Sequence, residues 1–354
     1  MIESIVKPFE INARKIGPAQ PTFVIAEAGV NHNGELSLAK QLVDIAVDAG
    51  ADAVKFQTFR AAQLASSSAA KAGYQKQTTS PAESQLEMLR RLALSEDAFR
   101  EIQNHCRARG IIFLSTAFDE RSVDFLADLD VPAFKIPSGE ITNTPLLEQV
   151  AAKGKPVILS TGMATLAEID QAMRCLNHSG ASQIALLQCV SEYPADVSSM
   201  NLRAMATLTD CFGVPVGLSD HSLGIEVSIA AVALGASIIE KHFTSDKSLP
   251  GPDHSASLEP AELKMLVTAI RNVEAALGDG IKQPTPEELR NAAVVRRSLV
   301  AAVDLEAGSS LERSKVAFKR PGTGISVQLL PDLLGRKLRR RVEAGAMLEL
   351  GMFE

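Results

Sequence analysis

Two histidines, two lysines and several carboxylates and serines stand in this chain where side chains from distant segments could work together. His221 in GLSDHS and His242 in IEKHFT each follow a short apolar run. Imidazoles at neighbouring strand ends can ligate one divalent ion through ring nitrogens; a hydrogen-bonded structural pair is the plain alternative. Lys55 in AVKFQ and Lys135 in AFKIPSGE lie in apolar contexts, where an unpaired ammonium is costly to bury. A bound dianion would compensate them, and so would salt bridges to Glu27 or Glu140 with no ligand at all. Ser138, Ser160 and Ser219 add hydroxyls suited to phosphate or carboxylate oxygens.

The elements that must position these groups follow a regular pattern. From Thr22 to about Leu277, short β-branched apolar runs alternate with stretches of helical period, as βα units around a parallel sheet do. Eight strands are predicted: Phe23 to Glu27, Ala53 to Gln57, Ile111 to Ser115, Ala133 to Ile136, Val157 to Ser160, Ile184 to Gln188, Val216 to Leu218 and Ile238 to Lys241. Glycines at 50, 110, 154 and 235 stand where helices should end. The expected fold is therefore a (β/α)8 TIM barrel, whose active site lies at the carboxyl ends of the strands. Glu27, Lys55, Gln57, Lys135, Ser138, Glu140, Ser160, Tyr193, Ser219, His221, Lys241 and His242 all fall at or just beyond predicted strand ends. Arg60 to Leu94 is too long for an ordinary βα loop and reads as a lid.

Around Gly278 to Pro286 the pattern breaks into turn residues, a short helix is expected over Glu287 to Val295, and the remainder is turn-rich with short elements. The expected organisation is a barrel over 1–280, a linker over 281–296 and a compact β-rich module over 297–354.

Composition excludes several function classes. With 46% hydrophobic and 22% charged residues the chain can bury a large core, and a net charge of -6 is wrong for a general nucleic-acid surface. The basic run from Arg336 to Arg341 reads as a solvated face. Cys106, Cys175, Cys189 and Cys211 are far apart and are expected to be reduced core residues. The first 17 residues lack the apolar stretch of a signal peptide, and Val227 to Ile239 is too short to span a membrane. A cytoplasmic location, with no membrane partner, is expected.

The chain resembles the sialic acid synthase family. The motifs are IAEAGVNHNG from Ile25, KFQTF from Lys55, KIPSGE from Lys135, LSTGMAT from Leu159, GLSDHS, EKHFT, PGPDHSASLEP from Pro250 and KRPGTGIS from Lys319. They run in family order through nearly the whole length. The resemblance implies condensation of phosphoenolpyruvate with an open-chain N-acylated mannosamine, giving a nine-carbon 2-keto sugar acid and phosphate. It also implies a C-terminal SAF (antifreeze-like) domain and a domain-swapped homodimer in which Arg320 serves the partner's sugar site in trans.

By the same resemblance, His221 and His242 would hold Mn2+ or Mg2+. Lys55, Lys135, Ser138, Ser160 and Ser219 would hold phosphoenolpyruvate, and Glu140 would orient or deprotonate the attacking water. Glu27 would bind sugar hydroxyls or a water on the metal, with Gln57, Glu192, Tyr193, Asp253 and Arg320 facing the sugar. The Ser191-Glu192-Tyr193-Pro194 loop and SQLEMLRRL are similar to the versions in bacterial legionaminic acid synthases. Their acceptor is 2,4-diacetamido-2,4,6-trideoxymannose. N-acetylneuraminate synthesis from N-acetylmannosamine, pseudaminate synthesis, and a non-catalytic sugar-binding protein are the alternatives.

Overall fold

A computed structural model describes residues 6–66, 68–80 and 82–354; the first five residues of the N-terminal stretch judged for export lie outside it. The chain forms two compact units, Met1–Gly278 and Asp279–Glu354.

The first unit opens with a small antiparallel hairpin, β1 (Phe9–Ile11) and β2 (Arg14–Ile16). Eight parallel strands follow: β3 (Phe23–Gly29), β4 (Ala53–Thr58), β5 (Ile112–Ala117), β6 (Phe134–Ile136), β7 (Val157–Ser160), β8 (Ile184–Cys189), β9 (Val216–Asp220) and β10 (Ile238–His242). They close in sequence order, with β10 pairing β3, into the expected barrel. Several strands run further toward the mouth than their apolar cores suggest, ending in Gly29, Thr58, Ala117, Cys189, Asp220 and His242. The four glycines expected at helix ends all take left-handed φ values, from 67° to 95°.

Side chains alternate across each strand, so one set lines the interior. At the amino-terminal end that set is apolar: Phe23, Ile25, Ala53, Ile112, Leu114, Ala133, Ile158, Ala185, Leu187 and Ile238 form one cluster. The hairpin joins it through Phe9, Ile11 and Ile16 and so covers the barrel floor. Two residues further along the same faces the set becomes polar: Glu27, Lys55, Thr116, Lys135, Ser160, Ser219 and Glu240. The apolar layer holds the barrel together and the polar layer opens on its mouth. A second, larger cluster packs the outer strand faces against the helices.

The segment expected as a lid contains helices Ala61–Leu64, Gly73–Thr78 and Gln85–Leu92. Ser84 and Glu87 form a capping box that starts the third. This segment has its own small core of Val30, Phe59, Ala61, Ala65, Met88, Leu89 and Leu92.

The second unit begins with a helix, Pro286–Val295, none of whose residues is buried. It continues into β11 (Ser298–Ala301) and β12 (Val316–Lys319), an antiparallel pair over a compact core that includes Leu299, Leu305, Leu338, Leu348 and Phe353. Among the cysteines, Cys106 and Cys189 are buried, but Cys175 is half-buried and Cys211 exposed, so the expectation of four core thiols is corrected. Cys211 lies in the last turn of helix Ala204–Phe212, on its solvent side. No described helix is long and apolar enough to cross a membrane.

Candidate active site

The polar layer surrounds a cavity of about 360 Å³ at the carboxyl end of the barrel. At its floor lies a buried charge cluster. Lys55 Nζ is 2.7 Å from Glu27 Oε2 and 3.7 Å from Glu240 Oε2, while Lys135 Nζ is 3.4 Å from Glu240 Oε1. Both ammonium groups also donate to hydroxyls, Lys55 to Thr116 Oγ1 and Lys135 to Ser160 Oγ, each at 2.7 Å. Ser219 Oγ donates to Glu240 Oε1 at 2.9 Å. Lys55 therefore has the Glu27 partner that the ligand-free alternative allowed, whereas Glu140 pairs with neither lysine. Glu140 sits on the short turn Ser138–Glu140, lines the cavity and accepts from Asn143 Nδ2 at 2.7 Å.

The cluster distributes its charge unevenly. Burial raises Glu27 to about 7 in spite of the attraction of Lys55, with Glu240 adding to the rise. Burial also opposes charge on Glu240, but Lys135 and Lys55 together outweigh it and hold that carboxyl at about 2. For Lys55, burial is overcome by Glu240 and Glu27 and the net direction is upward. For Lys135 burial wins, only partly offset by Glu240, and the direction is downward. The floor thus keeps one firmly ionised carboxylate between two ammonium groups, an excess of positive charge suited to an anion.

The two histidines meet on one side of this floor, with ring centroids 5.6 Å apart. His221 Nδ1 lies 2.6 Å from the Val190 carbonyl, so it carries the proton that this oxygen accepts; burial opposes charge on the ring, but Cys189 and this carbonyl outweigh it and the net direction is upward. His242 Nδ1 is buried with no hydrogen-bond partner among the described residues. Burial, then the neighbouring His221 and Lys55, lowers His242 well below the usual imidazole range, so it stands neutral. Two imidazoles this close suit a divalent cation once each offers a deprotonated ring nitrogen. Among the described residues no group of three His, Cys, Asp or Glu is placed to hold a metal ion, so further ligands would have to come from substrate or water.

The rim is built by loops. Tyr193 stacks between His221, at 4.1 Å between centroids, and Tyr74 of the lid, at 4.9 Å. Asp253 is buried on the cavity wall, and that burial raises its carboxyl to about 6. Gly162 donates its N–H to Ser138 Oγ at 2.9 Å, and a Cβ there would collide with Ser191 Oγ and Ser138 Oγ, which fixes how closely these loops approach.

Of the residues singled out in sequence, Glu27, Lys55, Gln57, Lys135, Ser138, Glu140, Ser160, Tyr193, Ser219, His221, His242 and Asp253 all line this one cavity. Glu192 does not: it is exposed, and the wall beside it is made by Ser191 and Tyr193. Arg320 lies in the second unit, exposed, just after β12. Lys241 points to the other face of β10, where it is 2.9 Å from the buried Asp220. Sequence reasoning missed Glu240, Thr116 and Cys189, all of which line the cavity. Period two supplied the signal: Glu240 shares a face with His242, Thr116 with Leu114, and Cys189 with Leu187.

A parallel eight-stranded barrel with a charged pocket at the carboxyl ends of its strands defines the class as a (β/α)8-barrel enzyme. The profile of the NeuB family matches residues 42–282 and that of the SAF domain residues 296–354. The chain belongs to the NeuB family.

It is 52% identical over 317 residues to the N,N'-diacetyllegionaminic acid synthase of Campylobacter jejuni, covering 89% of this chain and 95% of that one. It is 48% identical over 336 residues to the enzyme of the same name from Legionella pneumophila, covering 94% of each. Among solved structures, an N-acetylneuraminic acid synthetase from Leptospira borgpetersenii superposes with a TM-score of 0.72 at 36% identity, over 81% of this chain and 95% of that chain.

Proposed function

We propose that this enzyme condenses phosphoenolpyruvate with 2,4-diacetamido-2,4,6-trideoxymannose to give N,N'-diacetyllegionaminic acid and phosphate. One observation carries the reading: two buried lysines, the carboxylate between them and two adjacent histidines surround a single cavity. The choice of acceptor rests on the two relatives of that name at 52% and 48% identity, against 36% for the sialic acid synthetase.

In this scheme Lys55, Lys135, Ser138, Ser160 and Ser219 bind the carboxylate and phosphate of phosphoenolpyruvate, a trianion for which the excess positive charge at the floor is suited. Gln57, Tyr193 and Asp253 face the sugar. His221 and His242 would hold Mn2+ or Mg2+, which when bound would supply Lewis-acid polarisation of the sugar aldehyde. Phosphoenolpyruvate C3 forms the new bond to the aldehyde carbon, whose oxygen takes up a proton. Water adds to C2, losing one proton to Glu140; the hydroxyl it leaves on C2 gives up its own proton as C2=O forms and the C2–O bond to phosphate breaks, so that phosphate leaves with the bridging oxygen. Glu27, held at the floor by Lys55, orients the sugar hydroxyls. A cytoplasmic homodimer in which Arg320 of a partner copy serves the sugar belongs to the same proposal and rests on the KRPG resemblance.

The test is metal-dependent phosphate release from phosphoenolpyruvate with each acceptor. Turnover should be fastest with the diacetamido sugar, and Glu140→Gln should cut kcat by at least about 100-fold while phosphoenolpyruvate still binds. Faster turnover with N-acetylmannosamine would refute the acceptor, and a near-normal rate in Glu140→Gln would remove that residue from its role.

A further inference from the structure

The cavity has two chemical halves. Its floor is charged, but the wall contributed by the lid is largely apolar. Helix Gln85–Leu92 presents four residues to it, Gln85, Met88, Leu89 and Leu92. Their spacing of i, i+3, i+4, i+7 is one face of a helix, while Glu87, Arg90 and Arg91 on the other faces are exposed. Phe59 and Val30 extend the apolar surface around Met88. Gln85 differs from the other three: its amide has no hydrogen-bond partner among the described residues, so both its donor and its acceptor are available to the cavity.

An open-chain acceptor must place its aldehyde at the floor, beside the histidines and the bound phosphoenolpyruvate. Its C4 to C6 end then leaves the floor, and the helix Gln85–Leu92 face forms part of the cavity wall away from that floor. In the acceptor proposed above that end carries a methyl group at C6 and an acetamido group at C4, whereas N-acetylmannosamine carries hydroxyls at both. A methyl group is matched by Met88, Leu89 and Leu92, which cannot satisfy a hydroxyl. An acetamido group, one donor and one acceptor, is matched by a free primary amide.

We propose that this face of helix Gln85–Leu92 is the acceptor-specificity element of the enzyme: Met88, Leu89 and Leu92 receive the 6-deoxy end and Gln85 pairs with the 4-acetamido group. The proposal rests on the acceptor reading above and deepens it. These are specificity residues, placed on the lid and apart from the bond-making groups of the floor.

The experiment compares kcat/KM for 2,4-diacetamido-2,4,6-trideoxymannose and for the same sugar bearing a 6-hydroxyl, in wild type, Met88→Gln, Leu89→Gln and Met88→Leu. Wild type should favour the 6-deoxy sugar by up to about 100-fold, the range in which an apolar pocket rejects an added hydroxyl. Each Gln variant should reduce that ratio to below about 10-fold with the KM for phosphoenolpyruvate unchanged, and Met88→Leu should preserve it. Met88 and Leu89 both belong to the small lid core, but Leu89 is the more exposed of the two, so Leu89→Gln carries the test if Met88→Gln does not fold. A wild-type ratio near one, or a ratio unchanged in Leu89→Gln, overturns the inference while leaving the acceptor reading standing. Preference of the wild type for N-acetylmannosamine sinks the acceptor reading and this inference with it.

Discussion

Replacing Glu240 by Gln isolates the charge at the centre of the floor, because the amide keeps the volume and can still accept from Ser219. In the native cluster Glu240 is, among the described residues, the one carboxylate within 4 Å of Lys135, at 3.4 Å, and the second for Lys55. Lys55 retains Glu27 at 2.7 Å, but among the described residues Lys135 keeps only the Ser160 hydroxyl and the Ile136 carbonyl. An uncompensated buried charge of this kind costs about 3–5 kcal/mol, limited by the cost of deprotonating Lys135 instead. For a unit of this size that corresponds to a fall in Tm of roughly 6–20 °C.

The sign of the ligand effect is the sharper test. If the floor binds phosphoenolpyruvate, the anion replaces the missing negative charge, so at equal concentration it should raise the Tm of Glu240→Gln by several degrees more than that of wild type. Thermal melts by near-ultraviolet circular dichroism, with and without phosphoenolpyruvate, measure both effects. A drop below about 2 °C, or equal stabilisation of the two proteins by ligand, would refute the picture of two ammonium groups sharing one carboxylate.

Two further predictions separate structure from chemistry. Ile16 is fully buried under the barrel floor, so Ile16→Ala should cost about 2–5 kcal/mol in urea unfolding and leave kcat/KM unchanged; a marked change in the KM for phosphoenolpyruvate would show that the hairpin reaches the site. Asp220 accepts from Lys241, Ser222 and Ser228, all buried, so Asp220→Ala should destabilise by about 3–5 kcal/mol. Adding Lys241→Met should recover part of that loss, and a double variant no more stable than the single one would argue against the ion pair as the cause.

The barrel was legible because its strands are apolar and β-branched and its helices end in glycine. Where the strands carry function the pattern fades: Ala117, Cys189 and Asp220 continue their ladders although nothing in their types announces a strand. The hairpin was not legible at all. Its strands have three residues each, and its turn places Asn12 and Ala13 at φ 49° and 64°. Ala13 stands where glycine usually marks such a turn, so the usual signature is missing.

Legibility of the site followed the same physics in finer detail. Residues that break an apolar run, such as Lys55 and Lys135, signal themselves by the cost of burying them. Glu240 does not, because EKH reads as an ordinary polar strand end until inward and outward positions are assigned. Counting back by two from His242 makes Glu240 the inward residue and sends Lys241 out to Asp220, and without that step the lysines lack their shared counter-charge. The lid shows the complementary limit. Gln85, Met88, Leu89 and Leu92 already form one helical stripe in sequence, but a stripe of that kind covers a core far more often than a ligand. Only the position of the helix beside the cavity gives its apolar face a substrate to select.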